Sequence, residues 1–120
     1  MSAHPPLDLT VGFSSLAGRA GAIQVPGPDL AAECVVVIQT GAGTADAATI
    51  ASEVRRLEDA GARVVVLDSV GVAKSRNEVL RQARTRFVLF SDDDVTVAEL
   101  SFLLLALCAL AEDDPRRRHA

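Results

Sequence analysis

The sequence is short of cysteine and histidine, has no excess of positive charge, and lacks any apolar run long enough to cross a bilayer. Its two cysteines, Cys34 and Cys108, sit among apolar neighbours, which fits buried thiols in a reducing compartment better than a disulfide framework. The two histidines, His4 and His119, lie near the ends, so a zinc site has no ligand set. Twelve Lys and Arg against sixteen Asp and Glu give a formal net charge of −4, which excludes the broad basic field of a nucleic-acid-binding protein. Arg116, Arg117 and Arg118 read as a solvated tail. The longest apolar stretch, Phe102 to Ala111, is about half of the roughly 20 residues a membrane span needs, and reads as a buried helix with no transmembrane segment. Met1 to Asp8 shows neither the basic nor the apolar part of an export signal, so a cytoplasmic location is expected.

What is present is 120 residues, 49% hydrophobic and 23% charged, the profile of one globular domain over 1–120 with a single core. Four segments read as strands: Leu9 to Phe13, Cys34 to Gln39, Arg63 to Leu67 and Arg86 to Phe90. The last three are continuous β-branched or aromatic runs, as expected where helices cover both faces of a parallel sheet. Ala45 to Ala60 reads as a helix with Ala47, Ile50, Val54 and Leu57 in one apolar stripe, Thr44 as N-cap, Asp46 in the first turn and Gly61 past the end. Further helices are expected over Asn77 to Arg84, with Val79, Leu80 and Ala83 inward, and over Val97 to Ala111. Leu16 to Val25 reads as a weaker helix carrying Gly18 and Gly21, ended by Pro26-Gly27-Pro28. Strand and helix alternate throughout, which predicts an α/β fold: a doubly wound, mainly parallel sheet with helices on both faces.

Ligands of such sheets bind beyond the carboxyl ends of the strands. Four segments converge there: Ser14-Ser15-Leu16, Gln39-Thr40-Gly41, Asp68-Ser69 and Ser91-Asp92-Asp93-Asp94. Three carboxylates in a row at a strand end repel one another, and a hard divalent cation such as Mg or Mn compensates naturally, binding through one or two carboxylates and substrate phosphates. A solvated turn in which Asp93 or Asp94 caps the next helix accounts for the same triplet. Gly71 to Asn77 (GVAKSRN) lies between strand three and a helix that Asn77 can cap, and places Lys74 and Arg76 where a pyrophosphate could be met.

The stretch from Gly71 to Val95, GVAKSRNEVLRQARTRFVLFSDDDV, resembles the signature of family 2 glycosyltransferases with the GT-A fold. Gly71, Ala73, Ser75, Arg76 and Asn77 match its Gly-x-(Ala/Ser)-x-(Ala/Ser)-Arg-Asn part, and Asp92 and Asp94 match its Asp-x-Asp motif. The resemblance covers almost the whole chain but is specific from Gly71 onward. It implies a site for a nucleoside diphosphate sugar, usually of uridine, with Asp92 near the ribose, Asp94 on the metal that bridges the diphosphate, and Lys74 or Arg76 assisting departure of the nucleotide. Ser14, Ser15 and the end of strand two at Gln39 are then expected near the base.

Two departures from the pattern stand out. Strand two commonly ends in an acidic residue in this family, whereas here it ends Gln39-Thr40, whose amide can still meet a base edge. Family members also continue past this length into an acceptor site and a catalytic base, so the chain reads as the donor-binding half, with the acceptor-binding half absent, an unknown acceptor and little transfer activity alone. Membrane association is expected only of full-length relatives, and cell-surface polysaccharide or glycoconjugate assembly is the implied setting by analogy. Two other readings compete: a receiver-like signalling domain, disfavoured because its acidic pair follows the first strand, and a noncatalytic interaction module that self-associates through the apolar helix from Val97 to Ala111.

Overall fold

A computed structural model describes residues 7–112. Four strands, β1 (Leu7–Leu16), β2 (Ala31–Gln39), β3 (Arg63–Leu67) and β4 (Phe87–Ser91), form one sheet in the order β3-β2-β1-β4. Every pairing is parallel: Phe13 lies beside Val36 on one side and beside Ser91 on the other, and Val37 lies beside Val65. Three helices connect and follow the strands: α1 (Ala47–Asp59), α2 (Val72–Gln82) and α3 (Val97–Glu112).

The uninterrupted run Val35 to Ile38 is buried on both faces, which is why it does not alternate with polar residues. On one face Cys34, Val36 and Ile38 join Val11, Phe13, Leu57 of α1, and Leu100 and Leu104 of α3. On the other, Val35 and Val37 pack with Val79 of α2, with Val65, Leu67 and Val88 around them. The sheet is therefore doubly wound, with helices on both faces, as the sequence predicts. Gly12 lets α2 lie close, because a Cβ there would fall 2.3 Å from Val79 Cγ1.

Local differences have local causes. The helix expected over Leu16 to Val25 shrinks to a 3-10 turn at Ala20–Ala22, because β1 runs on to Leu16 in register with Gln39 and Gly18 then breaks the chain at φ +99°. The N-cap of α1 is Asp46, not Thr44: its side chain accepts from the Thr49 N–H at 2.8 Å, while Thr44 Oγ1 donates to the Ala17 carbonyl. Ala47 is consequently exposed, and Glu53 takes its place on the buried stripe. At the far end Gly61, at φ +104°, donates to Glu58 and Ala62 donates to Leu57, the paired bonds of a Schellman cap.

α2 starts at Val72 with Gly71 as N-cap, five residues before the expected Asn77, so Asn77 lies inside the helix and caps nothing. The earlier start turns Ser75 and Val79 to the sheet and leaves Leu80 53% exposed. α3 buries only Leu100 and Leu104 among its described side chains, leaving Phe102, Leu103 and Leu105 exposed. Among the described residues no helix is long and apolar enough to cross a membrane. The expectations for His4, His119 and Arg116 to Arg118, and for the side chain of Cys108, lie outside the described residues.

Candidate functional site

The chain winds from β1 through β2 to β3 on one side and returns to place β4 on the other side of β1. That reversal opens a crevice at the carboxyl ends of β1 and β4, the usual ligand position in open α/β sheets. A cavity of about 420 Å³ lies there, lined by Gly18, Arg19, Gly21, Ala22, Asp93 and Asp94.

The loop forming one wall is held from α1. The buried carboxylate of Glu53 accepts from the Gly18 N–H at 2.9 Å and the Gly21 N–H at 2.8 Å, and Arg56 donates to the Ile23 carbonyl. Two backbone donors offset the cost of burying the carboxylate. Sequence reasoning missed Glu53, although a carboxylate within the stripe of Ile50, Val54 and Leu57 signals that inward partners are required.

The three aspartates are not equivalent. Asp93 Oδ2 accepts from Ser15 Oγ at 2.8 Å, and its Oδ1 pairs with Arg19 at 3.2 Å, so this carboxylate braces β1 and its loop against the end of β4. Ser15 thus directs its hydroxyl to Asp93. Asp92 and Asp94 are exposed, and among the described residues their carboxylates make no hydrogen bond or ion pair. No group of three metal-binding side chains forms among the described residues. The arrangement therefore does not suit a cation held by protein alone, but it suits a hard cation that takes its other ligands from phosphate and water.

On the opposite face Ser75, fully buried in α2, donates its hydroxyl to the Val72 carbonyl at 3.0 Å. Its proton being used, Ser14 is the donor in the Ser14–Ser75 hydroxyl contact, which ties the Gly71–Asn77 segment to the end of β1. The guanidinium of Arg76 lies 5.3 Å from the Phe90 ring centroid, close beside the strand end that carries Asp92. Lys74 is exposed in the first turn of α2, whose N-terminus has no side-chain cap. Open N–H groups and two cations at a helix start form an arrangement suited to a phosphate.

Gln39 is buried, and its Oε1 accepts from Ser69 Oγ at 3.0 Å. The Thr40 N–H reaches Leu67 O and the Gly41 N–H reaches Ser69 O, closing the ends of β2 and β3 together. Gly41 is required there, since a Cβ would lie 2.6 Å from the Ser69 carbonyl oxygen. Asp68 is exposed. Of the expected residues Asp94 lines the β1–β4 cavity and Asp92 is exposed next to it in the chain, Ser14 is tied to α2, which carries Lys74 and Arg76 on the other face, and Gln39 is set farther along, against β3.

A family model described as Glycosyl transferase family 2 matches residues 29–115, from just before β2 to just beyond α3. No curated protein and no solved structure matches the chain.

Proposed function

The chain belongs to glycosyl transferase family 2, and on that premise we propose that its carboxyl edge binds a nucleoside diphosphate sugar for transfer to an acceptor hydroxyl. The observation that carries this reading is the division of labour among the aspartates: Asp93 is bound by Ser15 and Arg19, while Asp92 and Asp94 stand exposed at the end of β4, Asp94 lining the cavity. Asp94 and Asp92 are the residues that would hold a Mg or Mn ion at this edge. Bound there, the ion supplies charge neutralisation for the departing nucleotide.

The chain's own groups do the rest. Lys74 and Arg76 place positive charge beside the diphosphate, and Arg76 is held for this by the Phe90 ring. Ser14 and the side-chain amide of Gln39 contribute to the base side, while Glu53 fixes the loop that walls the cavity. Gln39 in place of an acid accommodates bases other than uracil. The residues gathered here serve the donor, and none of them is assigned as the base that takes the acceptor proton.

The test is calorimetric titration of the purified chain with uridine and guanosine diphosphates, with and without Mn²⁺, repeated on Asp94→Asn. Binding that requires the metal and weakens by at least about tenfold in Asp94→Asn is expected. A folded chain that binds neither nucleotide would overturn the reading and favour a noncatalytic interaction module.

A further inference from the structure

The loop over 17–22 that walls the cavity carries Gly18-Arg19-Ala20-Gly21, a glycine spacing that makes a phosphate cradle where the backbone N–H groups open outward. Here they do not. Each of the four loop residues that line the cavity has its N–H bound within the protein. Gly18 and Gly21 donate to the buried Glu53 carboxylate, Arg19 to the Leu16 carbonyl and Ala22 to the Arg19 carbonyl. Among the described residues the carbonyls of Gly18, Gly21 and Ala22 accept no hydrogen bond.

What the loop leaves to a ligand is therefore acceptors and one forked donor. Arg19 pairs with Asp93 at 3.2 Å through one nitrogen of its guanidinium, and among the described residues its other N–H groups bind nothing. Its side chain is 65% exposed. A phosphate oxygen only accepts, so beyond Arg19 this wall offers it nothing, and the Asp94 carboxylate repels it. A sugar hydroxyl both donates and accepts, and a pair on neighbouring ring carbons answers carbonyls and a guanidinium together. Gly18, Gly21 and Ala22 add nothing larger than a methyl group, and no aromatic side chain lines the cavity for a base to stack on. Its volume of about 420 Å³ lies toward the lower end of small-molecule pockets, which suits a single sugar ring better than a whole nucleotide sugar.

We propose that this cavity takes the glycosyl group of the donor, and that Arg19 is the residue that hydrogen-bonds its hydroxyls. The inference rests on the donor reading: Asp94 lines the cavity, so a diphosphate held at Asp94 brings the group on its outer phosphate to this wall. Residues 18–22 precede the span 29–115 that matches the family, so membership assigns Arg19 no role.

Calorimetric titration in Mn²⁺ of UDP, GDP, UDP-glucose, UDP-N-acetylglucosamine and GDP-mannose into wild type, Arg19→Ala and Arg19→Lys tests the assignment. Arg19 is exposed, so both variants are expected to keep the wild-type urea midpoint. Arg19→Ala is expected to weaken at least one of the three nucleotide sugars by on the order of tenfold, while changing its parent diphosphate by less than about twofold. Arg19→Lys keeps the charge facing Asp93 but loses the fork, and is expected to recover only part of the loss. A loss shared equally by sugars and diphosphates would make Arg19 a phosphate contact, and full recovery with lysine would make it only a brace for Asp93. Either result, or unchanged affinity for all three nucleotide sugars, overturns the proposal. A folded wild type that binds no nucleotide overturns the donor reading, and this proposal with it.

Discussion

Glu33 shows how much one side chain can organise. It stands near the start of β2 and accepts from Thr10 Oγ1 at 2.5 Å, from the Arg84 N–H at 2.7 Å and from Arg63 at 2.9 Å, so β1, β2, β3 and the segment that leads into β4 meet at one carboxylate. Burial pushes its carboxyl up, and the hydrogen bonds from Thr10, Arg84 and Arg63 together outweigh that effect, holding it below the ordinary 4.5. The native state therefore prefers the charged form. The resulting stability is complete above the ordinary value and is lost as pH falls through the lower native one. Glu33→Gln should lower the urea midpoint at neutral pH, and flatten its decline below about pH 4.5 relative to wild type. Equal acid slopes in the two proteins would show that Glu33 does not bear this load. Nothing in the sequence marks Glu33 out, since its partners lie 23, 30 and 51 positions away. The aspartate triplet is the contrary case: its position after a strand is legible, but which member is taken depends on Ser15, 78 positions off.

At the scale of elements, helix ends separate residue type from position. Thr44 and Asp46 are both good capping residues, and the apolar period alone does not choose between them. Asp46 caps because Thr44 is drawn to the Ala17 carbonyl across the loop. Asp46→Ala should accelerate hydrogen exchange at the Thr49 amide and lower the Tm, whereas Thr44→Ala should leave the Thr49 amide protected. Faster exchange in both variants would return the cap to a shared role. The same competition explains α2. Asn77 is a cap by type, yet Gly71 at φ +108° starts the helix earlier, and Ser75 buried against Ser14 fixes that register. The apolar stripe of α1 and its glycine end were legible because local spacing and a single backbone conformation suffice for them.

Across the whole molecule, the two-sided burial of β2 makes its interior a probe of global opening. Cys34 is 4% exposed, and burial, together with the neighbouring negative charge of Glu33, pushes its thiol up to about 12. In a Cys108→Ser background, thiol reagents should label Cys34 only through opening of the sheet, at rates that follow the stability measured by urea. Rapid labelling in the absence of denaturant would mean that β2 is reached without such opening.

The sequence by itself determined the alternation of strands and helices, the doubly wound class and the acidic strand end, because burial on both faces leaves unbroken apolar runs and periodicity is a local property. Tertiary structure alone decided that β4 lies beside β1 rather than beyond β3. That placement opens the crevice and commits Asp93 to Ser15 and Arg19, while among the described residues Asp92 and Asp94 keep their carboxylates unbound. The order of strands in a sheet is set by packing between segments far apart in the chain, and no local pattern encodes it.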